Sequence, residues 1–270
     1  MTVTTAWTVT GIGAGPSPLI IHVPHSGTWI PDDVRSQLLL DDSELGDEMA
    51  KMTDWQTDRM ALDALAMTDT PATVFTNRAS RLVVDPERFV GDAESMSAVG
   101  MGPVYHSTSA LGPLRRLDPE HDVRMLDRWF FPYAEAFAKE VDQLLARHGS
   151  AVIVDLHSFP KLPLPYEADP TARRPGICLG SDLEHTPDDL RDLALGSFAG
   201  VPGGTALDTP FAGTYVPLKH LGRDRRVRSI MIEVRRDLYQ TEPAGPLHDG
   251  YNDIVTLLGD FLLATVTLGA

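Results

Sequence analysis

Leu19-Ile20-Ile21-His22-Val23-Pro24-His25-Ser26-Gly27 decides how the rest of the chain is read. The run is short, apolar and rich in isoleucine and valine, and a proline stops it, which predicts a buried strand. A second run, Ala151-Val152-Ile153-Val154-Asp155-Leu156-His157-Ser158, has the same character and also ends on a histidine. A third, Val227 to Val234, closes with Ile232-Glu233-Val234. Open α/β folds gather ligands and chemistry at the carboxyl ends of such strands. Two imidazoles and a carboxylate in these places point to a metal hydrolase.

Working outward, Asp54 to Leu65 carries Trp55, Met60, Leu62 and Leu65 at helical spacing, and Pro31 to Leu40 resembles a short helix opening on Asp32 and Asp33. Ala72 to Phe75 and Leu82 to Val84 read as strands, and Gly91 to Gly112 as a loop. The strongest helix is Pro119 to His148, with a stripe of Leu126, Trp129, Phe130, Tyr133, Phe137, Val141 and Leu144, ended by Gly149. Beyond the second run come a proline-rich loop (160–175), a short strand (177–179), a helix (188–198), a turn-rich loop (200–213) and a last helix from about 249 to 268. Strands alternating with helices predict an α/β fold with a mixed or largely parallel sheet between helices. The 270 residues allow one large domain or two small ones; with no repeat or low-complexity linker, we read one domain over 1–270.

Hydrophobic residues make up 43% of the chain, enough for a full core, and the net charge is −15. Such a balance argues against nucleic acid as the main partner, because phosphate binding needs clustered lysine and arginine. The single cysteine, Cys178, forms no intrachain disulfide, and Met1 to Trp7 lacks the basic start and long apolar run of a signal peptide. Ile254 to Leu268 is broken by Gly259-Asp260 and by threonines, which predicts a core helix rather than a membrane span. A cytoplasmic protein without a membrane partner is expected.

Each candidate residue has a bland reading beside the functional one. His25 stands just past a strand, before two small residues that would leave room for a substrate; alone, it is as well read as a loop histidine bonded to backbone. His22, inside the strand, reads as a structural neighbour. Asp155 and His157 share a strand face, so the carboxylate could fix the imidazole tautomer behind a metal, or pair with an arginine. Asp54 lies at a probable helix start, where a carboxylate is common; Asp47, Glu48 and Asp58 compete with it. Glu233, in an apolar strand, must be paired with Arg235 or Arg236 or be functional, since burying a lone carboxylate is costly. Arg78, Arg81 and Arg88 flank a short apolar segment and suit carboxylates or a developing oxyanion, or a solvated rim.

Taken together, Pro24-His25-Ser26-Gly27, Thr53-Asp54-Trp55, Ser80-Arg81-Leu82-Val83-Val84-Asp85, Asp155-Leu156-His157-Ser158, Pro210-Phe211-Ala212-Gly213-Thr214-Tyr215 and Ile232-Glu233-Val234-Arg235-Arg236-Asp237-Leu238-Tyr239 resemble the N-formylglutamate amidohydrolase family, in family order from about 19 to 240. The family is similar in fold to zinc carboxypeptidases and aspartoacylases, which implies a three-layer sandwich with a mixed, mostly parallel sheet (phosphorylase/hydrolase-like). By that likeness His25, Asp54 and His157 would hold zinc or another divalent transition metal, and Glu233 would be the general base. Arg81 would steady the oxyanion, and Arg88, with Arg78 or Arg235, would hold the carboxylates of a small anionic acyl-amino acid. Two positions depart from the pattern. The acidic ligand that zinc carboxypeptidases carry three residues after the first histidine is Thr28 here. Asp85-Pro86-Glu87-Arg88 stands where the family usually has Asp-Leu-Asn-Arg, and Glu87 would repel a carboxylate that asparagine would bind. A zinc acylase or carboxypeptidase-like peptidase of other specificity, or a non-catalytic binding member of the fold, are the alternatives.

Overall fold

In the computed structural model, which describes residues 5–91 and 93–268, the three apolar runs are neighbouring parallel strands. In chain order the elements are β1 (Trp7–Ile12), β2 (Leu19–Val23), α1 (Asp32–Arg35), α2 (Asp42–Met52), α3 (Thr57–Thr68), β3 (Ala72–Asn77), α4 (Pro119–Met125), α5 (Phe131–His148), β4 (Ala151–Phe159), β5 (Ile177–Gly180), α6 (Asp188–Ser197), β6 (Thr205–Leu207), β7 (Val227–Arg235) and α7 (Gly250–Leu268). The seven strands form one sheet in the order β1-β3-β2-β4-β7-β5-β6. The central four, β3, β2, β4 and β7, run parallel, β1 and β5 are antiparallel to their inner neighbours, and β6 is parallel to β5. The α/β class and the mixed, mostly parallel sheet between helix layers are as the sequence predicted.

The two faces of the sheet are built from alternating side chains. On one face Leu19, Ile21, Val152, Val154, Leu156, Ile230 and Ile232 pack beneath α3, α6 and α7. On the other, Ile20, Ala151, Ile153 and Val227 pack against Tyr133, Phe137, Val141 and Leu144 of α5. Continuing toward the carboxyl ends, this second face carries His22, Asp155, His157 and Glu233 in place of apolar groups, and in register Asp155 lies beside His22 and Glu233 beside His157. One face therefore changes from core to chemistry along its own strands.

α7 is long and apolar enough to cross a membrane by length and composition. It is packed in the core, with Ile254, Val255, Leu258, Phe261 and Leu262 buried, and Gly259 lets α3 approach so closely that a Cβ there would stand 3.0 Å from the Ala64 carbonyl oxygen.

Several elements differ from the sequence reading. Leu82–Val84 is not a strand: Val83 N–H closes a turn on Ser80 O, and the three side chains are buried because the turn sits between two apolar clusters. The 119–148 helix is interrupted by a π-helical turn over Leu126–Phe130, just before Pro132, whose ring and missing N–H are incompatible with a regular α-helical bond at that point. The segment 31–40 forms only the single turn α1. α2 was not anticipated, although Asp41 and Glu44 form a reciprocal capping box at its start. Nor was the edge strand β1, although Trp7-Thr8-Val9-Thr10 alternates apolar with polar residues; its central residues are exposed.

Candidate metal centre

His25 emerges from the loop after β2, and Gly27 sets the path of that loop. A Cβ on Gly27 would lie 2.4 Å from the Arg78 carbonyl carbon and 2.5 Å from Ala79 O, so only glycine admits this approach of two backbones. The small residue serves backbone packing, not the substrate space that the sequence suggested. Trp29 N–H to Arg78 O and Ser80 N–H to Trp29 O fasten the loop to the chain leaving β3. Asp54 lies in the short link between α2 and α3, and its N–H donates to His25 O at 3.0 Å. His157 stands near the carboxyl end of β4.

These three side chains converge. His25 Nδ1 and His157 Nδ1 are 3.2 Å apart, and Asp54 Oδ2 lies 3.1 Å from His157 Nδ1 and 3.6 Å from His25 Nδ1. The opposite edges of the rings face carboxylates: His25 Nε2 is 2.9 Å from Asp85 Oδ1, and His157 Nε2 is 3.1 Å from Asp155 Oδ1 and 3.2 Å from Glu87 Oε2. A carboxylate accepts, so with the proton on each Nε2 each Nδ1 lone pair would face inward and could bind a cation; with the proton on Nδ1 the His157 ring donates to Asp54 instead. Two imidazole nitrogens and one carboxylate oxygen aimed at a common point could hold a divalent transition metal and leave positions for water and substrate. Two other groupings have suitable spacing, His22/Glu87/Asp155 and His25/Asp85/Glu87. Their nitrogens already face carboxylates at hydrogen-bonding distance, so they form the backing of the first group.

That backing is extensive. His22 connects Asp155 Oδ1 at 2.9 Å to the Tyr133 hydroxyl at 2.8 Å, and Tyr215 N–H donates to Asp155 Oδ2 at 3.0 Å. Asp85 accepts from Arg81 Nη2 at 2.7 Å, from the Glu87 N–H at 3.1 Å and from the Tyr105 hydroxyl. Arg236, buried, donates to Asp54 Oδ1 at 3.2 Å, to Ser158 Oγ and O at 3.1 Å each, and to Lys51 O at 2.6 Å. One oxygen of Asp54 is thus fixed by a guanidinium while the other faces the imidazoles.

The electrostatics follow from burial and these pairings. Burial alone would raise Asp54, but hydrogen bonds from His157 and His25 more than offset it and hold the carboxyl well below the usual range. Burial lowers His157, yet Glu87 and Asp155 raise it well above its ordinary value. Carboxylates that favour a proton on this ring favour any cation at its other nitrogen. Glu233 goes the other way: burial, with the Asp54 charge nearby, pushes it up to about 7, and its Oε2 is buried without a hydrogen-bond partner. Such a carboxylate can exchange a proton near neutrality.

Of the other residues singled out by sequence, Arg81 lies in the site, bound to Asp85 and, at 3.2 Å, to the Tyr105 hydroxyl. Arg88 sits beside Asp85, Nε to Oδ2 3.5 Å, with Nε otherwise without a partner. Arg78 is exposed, and its side chain bonds to no residue of the site; its backbone is what the fold uses. Arg235 is engaged with Asp237 at 2.6 Å and with Arg174 O at 2.8 Å. Arg235 is therefore not free to meet a substrate carboxylate as placed. Glu233 pairs with neither Arg235 nor Arg236. The sequence reading did not find Arg236, Tyr105, Tyr133 or the part played by Asp85. Only the Arg235-Arg236 pair after Glu233 gave a signal, and it could not say which arginine turns inward.

The model of the N-formylglutamate amidohydrolase family matches residues 17–240. The chain is 27% identical over 265 residues to an N-formylglutamate deformylase of Pseudomonas putida, covering 95% of each, and 28% identical over 238 residues to one of Pseudomonas aeruginosa, covering 85% of each. Its fold is similar to the crystal structure of N-formylglutamate amidohydrolase from Ralstonia eutropha JMP134, with a TM-score of 0.79 at 22% identity over 98% of this chain and 99% of that one.

Proposed function

The chain belongs to the N-formylglutamate amidohydrolase family, and from that premise we propose that it hydrolyses the amide of a small N-acyl amino acid, N-formyl-L-glutamate first, to formate and glutamate. The observation that carries the reading is the convergence of His25 Nδ1, His157 Nδ1 and Asp54 Oδ2 beside Glu233. The carboxylates of Asp54, Asp85, Glu87, Asp155 and Glu233 outnumber the guanidinium groups of Arg81, Arg88 and Arg236 around them, an excess of charge that suits a divalent ion. Zinc at His25, Asp54 and His157 would supply Lewis acidity, acidifying water and polarising the acyl oxygen.

The protein groups do the rest. Glu233 Oε2 takes a proton from the attacking water as its oxygen bonds to the acyl carbon. Arg81, held by Asp85 and Tyr105, faces the charge that develops on the acyl oxygen. Glu233 then gives its proton to the leaving nitrogen as the C–N bond breaks, so the amine departs neutral and the base is regenerated. Arg88, whose Nε makes no hydrogen bond and lies 3.5 Å from Asp85 Oδ2, holds the substrate carboxylate. An acyl amino acid with a neutral side chain is a second reading, favoured by the engagement of Arg235 with Asp237.

A panel of formyl-, acetyl- and succinyl-amino acids and short peptides, given to metal-replete protein, tests the proposal. Formate release from formyl-L-glutamate with the highest kcat/KM is expected. No release from any formyl-amino acid would refute the activity.

A further inference from the structure

Glu87 is a buried-side carboxylate to which the proposed reaction gives no task. Its Oε2 lies 3.2 Å from His157 Nε2 and 3.7 Å from His25 Nε2, and its Oε1 lies 3.5 Å from His22 Nδ1. Three imidazoles therefore surround it, and Oε1 is buried with no hydrogen-bond partner. It occupies the Nε2 side of His25 and His157, the edge opposite the paired Nδ1 atoms. Its own N–H is bound to Asp85 Oδ1 at 3.1 Å.

The donors there are already shared. Asp155 Oδ1 faces both His22 Nδ1 at 2.9 Å and His157 Nε2 at 3.1 Å, while Asp85 Oδ1 faces His25 Nε2 at 2.9 Å. His157 has a single Nε2–H, and Asp155 and Glu87 lie at nearly equal distance from it. Packing needs only one of them. The second adds negative charge behind both rings, directed at the imidazoles.

Building on the zinc-hydrolase reading, we propose that Glu87 is a positioning residue of the metal centre: it holds His157 with Nε2–H turned back and Nδ1 forward, and its charge strengthens the grip of the two imidazoles on a divalent cation. A carboxylate behind a ligating imidazole raises the basicity of the ring, and losing such a partner typically costs about 10–100-fold in metal affinity. On this account the acidic residue at position 87 tunes the ion, not the choice of substrate.

The test uses the full chain. Zinc affinity is measured by competition with a chromophoric chelator for wild type, Glu87→Gln and Glu87→Asp, and cobalt(II) is substituted for zinc so that its visible spectrum reports the ligand field. Glu87→Gln keeps shape and drops charge. It is expected to weaken zinc about tenfold, to shift the cobalt bands, and to lower kcat at saturating zinc with KM unchanged. Glu87→Asp keeps the charge on a shorter arm and should fall between the two. Should the glutamine variant not fold, the aspartate variant in the same assays carries the test, with a measurable loss of zinc affinity expected. Equal zinc affinity and identical cobalt spectra in the variants overturn the proposal. So does a lowered KM for anionic substrates with zinc binding intact, which would make Glu87 face the substrate. Wild type that takes up no zinc overturns the hydrolase reading itself, and this inference with it.

Discussion

Arg236→Met removes the guanidinium that fixes Asp54 and keeps much of the apolar stem. The arginine is 2% exposed and bonds to Asp54 Oδ1, both oxygens of Ser158 and Lys51 O. Asp54 is equally buried at 2%, so the substitution strands a carboxylate in a low-dielectric interior. Breaking a buried pair from one side costs about 3–5 kcal/mol, and the freed carbonyls of Lys51 and Ser158 cannot all find new donors. A bound divalent ion would compensate the Asp54 charge through Oδ2, so the loss should be larger without zinc than with it. Urea unfolding followed by circular dichroism, in zinc and in chelator, measures both. A loss below about 1 kcal/mol in chelator, the size of an ordinary surface change, would refute the idea that Arg236 holds this carboxylate.

Glu233 pushed up to about 7 must be ionised to act as base, so kcat/KM should fall tenfold per unit as pH drops below the acid limb. A bound cation stabilises the ionised form, so with zinc that limb lies at or below about 7; a flat profile from pH 5 to 8 would count against the assignment. Gly27→Ala puts a Cβ 2.4 Å from the Arg78 carbonyl carbon, so it should destabilise by about 1–3 kcal/mol and weaken zinc binding through His25. Unchanged urea midpoint and zinc affinity would show that the loop yields freely. Arg88→Ala should raise KM for formyl-glutamate at least tenfold with a smaller change in kcat, read from steady-state kinetics; an unchanged KM would move the substrate carboxylate elsewhere.

The strands that carry the site were legible because β2, β4 and β7 are apolar runs whose few polar residues had to be placed for a reason. That logic singled out His25, His157 and Glu233 as candidates. It failed for Leu82–Val84, where burial comes from wedging a turn between clusters rather than from pairing in a sheet. It did not reach β1, which lies exposed at the sheet edge and carries only the short alternation Trp7-Thr8-Val9-Thr10 instead of an apolar run. Resemblance, not spacing, singled out Asp54 from Asp47, Glu48 and Asp58. The arginines divided by contacts that lie far apart in sequence: Arg236 reaches Asp54, 182 positions away, while Arg78 and Arg235 turn to solvent and to Asp237.

The π turn at Leu126–Phe130 sets the relation between the two walls of this region. Just before and within it, Met125, Trp129 and Phe130 lean on Val83, Val84 and Ala79, beside the loop that bears Arg81 and Asp85. After it, Tyr133 and Phe137 lean on the underside of the sheet, where Tyr133 meets His22. An unbroken α-helix would advance about 100° per residue throughout, and its stripe could not turn from one wall to the other at this point. The wide turn lets one rod back the arginine-bearing loop with one stretch and, with the next, carry Tyr133 beneath the histidine network.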